Sequence, residues 1–157
     1  MFGGRRVGVA AASAVVLVGG GVGLAAASSQ GVHKPTTIHV LMKHSEGQEV
    51  DNNGKKNIGD SFAFNAQMWN AAGGRKIGHV DGACTETRAN NSRLLCDVVF
   101  TFAGRGEIST TGLSPASGAP DTDPIVGGDG EFRNVDGQVH FGNFNEPPIK
   151  VTLELEP

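Results

Sequence analysis

Two histidines and two cysteines have the types and spacing with which this chain could do chemistry. His44 continues the side of a run that carries Ile38, Val40 and Met42, and His79 shares the parity of Ile77. An imidazole that titrates near neutral pH can give or take a proton. His44 and His79 are therefore candidate catalytic residues if they face an enclosed interior, and ordinary surface histidines if they sit at a wet rim. Cys84 and Cys96 flank Asn90-Asn91-Ser92, a segment with turn chemistry. A turn there sets the two cysteines opposite each other on adjacent antiparallel strands. In an oxidising compartment they form a disulfide, and its role is structural. Asp81 and Glu86, on either side of Cys84, are placed to pair with Arg88 or Arg93 across the same hairpin.

Other chemistries have less to build on. The five histidines are dispersed, and no Cys/His cluster has metal-ligand spacing. Asp121, Asp123 and Asp129 do not fit a calcium loop. No serine sits in a nucleophile elbow. Gly127-Gly128-Asp129-Gly130 leads into a strand-like segment rather than a helix, so it reads as a turn and not as a phosphate cradle. The expectation is a protein with neither metal nor cofactor.

These residues are positioned by short segments of period two, the signature of half-buried antiparallel strands. Thr37 to His44 is the first, followed by a polar stretch, Ser45 to Gly59, that reads as a long loop. Phe62, Phe64, Ala66 and Met68 share one side of the second strand, and Arg75 to Thr87 forms the third. Leu94, Cys96, Val98, Phe100 and Phe102 share one side of the fourth. Glu107 to Leu113 is the fifth, and Ser114 to Asp123 reads as a second exposed loop. Pro124 to Gly127, Glu131 to Arg133 and Gln138 to Phe144 follow. Ile149, Val151, Leu153 and Leu155 alternate cleanly in the last strand. No stretch after residue 27 has a convincing helical period. Eight or so strands of this kind imply an all-β barrel or sandwich, and the regular last strand favours closure into a barrel, which removes exposed edges.

The first 27 residues stand apart. Arg5 and Arg6 precede an uncharged apolar run, Val7 to Leu24, and Ala25-Ala26-Ala27 supplies small residues for a signal peptidase. The expected organisation is a signal peptide over 1–27, a flexible tail over 28–36 and a barrel over 37–157. The protein would then be secreted, with no stable membrane insertion after cleavage. Without Arg5 and Arg6 the chain keeps 11 basic and 16 acidic side chains, a formal charge of −5. That balance argues against a nucleic-acid partner.

The ordered markers point to a family. Gly59-Asp60, Lys76-Ile77-Gly78, Gly82-Ala83-Cys84, Gly106-Glu107-Ile108-Ser109, Ile125-Val126-Gly127-Gly128-Asp129-Gly130-Glu131-Phe132 and Gly137-Gln138-Val139 together resemble the allene oxide cyclase barrel-like family, relatives of plant allene oxide cyclases and dirigent proteins. The likeness covers about 100 residues and suits an exported bacterial member. It implies an eight-stranded antiparallel closed β-barrel, often a homotrimer, around an apolar cavity. The family's polar site residues do not carry over. Its first-strand glutamate and the asparagine two residues on fall at Met42 and His44, its second-strand asparagine falls at Ala66, and the dirigent aspartate falls near Met42.

Three functional readings stay open. The favoured one is a secreted barrel that holds a small apolar molecule, such as a lipid, polyene or terpenoid-like guest, against Met42, His44, Phe62, Phe64, Ala66, Met68, Phe100 and Phe102. The second is an isomerase, a cyclase that confines a reactive intermediate. The third is a solid barrel that serves as a structural or interaction module. An eight-stranded barrel accommodates either a packed interior or one small ligand.

Overall fold

The computed structural model describes residues 35–50, 58–88 and 92–156. The proposed signal peptide, the middle of the first long loop and the Asn90-Asn91 turn lie outside them. Eight strands run in chain order: β1 (Thr36–Val50), β2 (Ser61–Asn70), β3 (Lys76–Glu86), β4 (Arg93–Phe102), β5 (Gly106–Pro115), β6 (Asp121–Gly128), β7 (Asp136–Phe141) and β8 (Ile149–Glu156). Among the described residues a single 3-10 turn, η1 (Gly130–Phe132), interrupts them. Each strand pairs antiparallel with the next, and β8 returns to β1 with Ile38 opposite Leu153 and Met42 opposite Ile149, so the sheet closes into a barrel. The expected eight-stranded antiparallel barrel is the fold.

The two-residue period decides what lies inside. Ile149, Val151, Leu153 and Leu155 are all buried, while Lys150, Glu154 and Glu156 between them are exposed. Cys96, Val98, Phe100 and Phe102 repeat the pattern on β4. Met68, Val80, Phe100, Ile108, Val139 and Leu153 lose all exposure and fill one half of the barrel. Phe132, carried by η1, closes that half: its ring centroid lies 4.9 Å from that of Phe102. The Arg105 guanidinium covers the Phe132 ring at 5.0 Å and donates to Glu131 at 2.8 Å. This end is solid.

Four segments depart from the sequence reading. β1 does not end at His44. A bulge between Lys43 and Glu46 shifts the register, and the strand continues to Val50, paired with Ser61 to Asn65 of β2 alone. Every side chain from His44 to Val50 is exposed, so there is no apolar alternation to reveal a strand held by backbone bonds to one neighbour. Glu131 belongs to the 3-10 turn rather than to a strand. β7 begins at Asp136 and ends at Phe141, short of the expected Phe144. The presumed loop from Ser114 to Asp123 is shorter than expected, because β5 extends to Pro115 and β6 starts at Asp121.

Cys84 and Cys96 face each other in register across β3 and β4 and form the expected disulfide. The bond closes a loop between residues 12 apart in the chain, and a loop of that size restricts the unfolded chain by roughly 2–3 kcal/mol. The double substitution Cys84→Ser, Cys96→Ser is expected to lower the unfolding free energy by about that amount. Urea denaturation of both forms measures it, and an unchanged midpoint would show that the bond contributes nothing to stability.

Candidate functional site

The other half of the barrel is hollow. A cavity of about 410 Å³ opens where β2, β4, β6 and β8 begin and β3, β5 and β7 end. Met42, Val98, Phe141, Ile149 and the Cys84–Cys96 disulfide form its apolar depth. Two pairs of aromatic rings form its walls. Phe62 and Phe64 stack with centroids 5.8 Å apart and planes 21° apart, and Phe141 and Phe144 stack at 5.8 Å and 29°. Phe64 can lie flat on the sheet because its β3 neighbour is Gly82, where any Cβ would collide with the ring. The outer half of β1 supplies Glu46 and Glu49 to the mouth.

Three buried carboxyl side chains also line this apolar space: Asp60, Glu86 and Asp123. Strand parity explains two of them. Glu86 lies two residues beyond Cys84 on β3 and so shares its inward side. Asp123 lies two residues before Ile125 on β6, and both are inward. Asp60 is drawn in at the start of β2, where the Glu86 N–H donates to the Asp60 carbonyl at 2.8 Å and the Gly59 N–H to the Glu86 carbonyl at 2.9 Å. Among the described residues, no group of three or more His, Cys, Asp or Glu is arranged to hold a metal ion.

Asp123 is the unusual member. It is 2 % exposed, and its Oδ2 has no hydrogen-bond partner. Its carboxyl group lies over Gly112 of β5, where any Cβ would overlap it. Gly112 thus makes room for an acid beneath the cavity. Burial, followed by the nearby charge of Asp121 on the same side of β6, raises the Asp123 pKa from 3.8 to about 6. A buried acid without a partner is costly to keep, and perturbed carboxyls of this kind concentrate at functional sites.

The residues expected from sequence separate into three groups. Met42, Phe62 and Phe64 line the cavity. Ala66, Met68, Phe100 and Phe102 point inward but are buried in the hydrophobic core rather than at the cavity wall. His44 and His79 do not reach it. The bulge gives His44 a positive φ of 53° and leaves its side chain exposed, which breaks the parity that would have carried it inward. His79 is on the outer face, between buried Gly78 and Val80, with its Nε2 3.3 Å from Asp81. Asp81 thus has a partner on its own strand. The Arg93 guanidinium donates to the Leu113 carbonyl at 3.0 Å, and Glu86 turns inward, so Glu86 is not the surface residue expected beside Cys84.

The fold agrees with comparisons to known proteins. The family model described as Dirigent-like protein matches residues 24–156. No curated protein matches the sequence. Among solved structures, a pyocyanin demethylase is 27% identical with a TM-score of 0.69, over 76% of this chain and 99% of that one. The pterocarpan synthase dirigent protein PsPTS1 is 20% identical with a TM-score of 0.59, over 78% of this chain and 92% of that one. The Diels-Alderase AbmU from Streptomyces koyangensis is 20% identical with a TM-score of 0.59, over 78% of this chain and 65% of that one.

The raised Asp123 pKa has a consequence for stability. The folded state holds this proton more tightly than the unfolded chain, so the stabilisation is complete below pH 3.8 and is lost as pH rises through about 6. A shift of this size corresponds to about 3 kcal/mol at most. Asp123→Asn is expected to abolish this component: the stability difference between variant and native protein should move in the variant's favour between about pH 4 and about pH 7. Urea unfolding across that range measures the difference, and a pH-independent difference would contradict a buried acid.

Proposed function

The chain belongs to the dirigent-like family, and from that premise we propose that it binds one small, mainly apolar guest in the open half of its barrel and fixes that guest's orientation. The observation that carries this reading is the 410 Å³ cavity, walled by stacked phenylalanines, with the unpartnered carboxyl oxygen of Asp123 inside. Cavities of roughly 300–1,000 Å³ with few polar groups suit drug-sized ligands. The rings hold an aromatic or polyene guest by area and by face contact. Asp123 gives the site a direction, because a buried carboxyl oxygen left without a partner fixes which way the guest lies. The disulfide supports an oxidising compartment for this activity, in keeping with a secreted protein.

A second reading has its own observation in support. An acid whose pKa lies at about 6 exchanges protons readily near neutral pH, as a general acid or base must. A guest held against it would be confined and oriented as well as bound, and such confinement accelerates cyclisation or rearrangement. In this reading Asp123, rather than His44 or His79, is the group that touches the reacting molecule.

The neutral dye Nile red tests the binding reading. The native protein is expected to bind it in a single saturable site with raised fluorescence. Val98→Phe, which extends a ring into the cavity from its apolar depth, should weaken that binding by at least about tenfold, equivalent to 1.4 kcal/mol, and leave the barrel folded by circular dichroism. Equal affinity for the folded variant would place the dye elsewhere and remove the support for a guest site in the barrel.

A further inference from the structure

We infer that the guest is a planar aromatic cation, an N-heteroaromatic or aryl-ammonium molecule whose positive charge is held at the Asp123 carboxylate and whose rings lie against the phenylalanine walls. This names the ligand class of the site proposed above and rests on that reading.

Three observations converge on a cation. The first is Asp123 itself, 2 % exposed with Oδ2 unpartnered inside the cavity. A carboxylate kept there calls for a donor, and a charged donor gives a stronger bond than a neutral one. The second is the sign of the surroundings. The ionisable residues among the described lining are Glu46, Glu49, Asp60, Glu86 and Asp123, with no lysine, arginine or histidine. The third is the wall. Phe62, Phe64, Phe141 and Phe144 line the cavity, and a phenyl face carries the negative side of the ring quadrupole, which attracts a cation and repels an anion. All three act in the same direction, so a free fatty acid or any aryl carboxylate is disfavoured although its apolar part would fit.

The pH behaviour follows from the groups that face Asp123. Asp121 lies beside it on β6. Its inward neighbours on the flanking strands, Thr110 and Gly112 of β5 and Val139 and Phe141 of β7, do not titrate. Asp60, Glu86, Glu46 and Glu49 line the same cavity. With Asp123 titrating at about 6, a permanent cation should bind well above that pH and progressively less below it.

Three probes of matched shape separate the possibilities: N-methylacridinium, neutral acridine and acridine-9-carboxylate, each titrated into the purified protein at about pH 8 and followed by fluorescence and calorimetry. The cation is expected to bind at least about tenfold more tightly than neutral acridine, with the carboxylate weakest. Asp123→Asn should remove the preference for the cation, so that cation and neutral acridine bind the variant with similar affinity. Without any substitution, lowering the pH to about 5 should weaken binding of the permanent cation. Equal binding of cation and neutral probe would overturn the charge assignment and leave the apolar binding site standing. A preference that survives both Asp123→Asn and the lower pH would overturn the role of Asp123. Failure of all three probes to bind would overturn the guest site along with the inference drawn from it.

Discussion

The pairing of the first strand with the last is the constraint on which everything else depends. Once β1 and β8 join through Thr36 to Met42, the sheet has no edge, and its strand number sets the width of the interior. Side-chain size then decides whether a given level is solid or hollow. Met68, Val80, Phe100, Ile108 and Leu153 are fully buried in one hydrophobic cluster and fill one half. Towards the other end β1 parts from β8 after Met42 and runs on with β2 alone. The barrel opens there, and the interior residues no longer meet.

The two halves have opposite energetic characters. The solid half buries large apolar side chains, each contributing roughly 1.5–3 kcal/mol, and supplies the stability of the domain. The hollow half holds groups that reduce it: an unpartnered carboxyl oxygen on Asp123 and a second acid, Asp121, close enough to raise its pKa. The disulfide between Cys84 and Cys96 lies in the wall of the hollow half, so a covalent link reinforces the sheet where packing is thinnest. Unpartnered carboxyl oxygens at the open end of a well-packed scaffold fit a binding site there.

Much of the fold was legible because β-structure writes its inward face every second residue. The runs Cys96-Val98-Phe100-Phe102 and Ile149-Val151-Leu153-Leu155 show it directly, and the disulfide follows from the turn between its cysteines. The site was less legible. His44 pointed inward by parity, but a bulge absorbs one residue and reverses the side on which the following residues lie, and nothing in Lys43-His44-Ser45 marks it. Asp123 was hidden because Asp121-Thr122-Asp123 looks like solvated loop, and only the pairing of Asp123 with Val139 makes it a strand residue. Glu86 offered a usable signal, since it shares the parity of Cys84. The resemblance sets Met42 where the family's first-strand acid would stand, while the buried acid with an unpartnered oxygen, Asp123, comes from β6.

The central claim is that Asp123 is a desolvated acid held in an apolar cavity for a guest. Carboxyl ¹³C nuclear magnetic resonance of the native protein, titrated with pH and with the Asp123 signal assigned by its loss in Asp123→Asn, tests it most directly. A midpoint at about 6 is the predicted result. A midpoint near the ordinary 3.8 would mean that water satisfies the carboxylate, and the cavity would then be a wet cleft with no group reserved for a ligand.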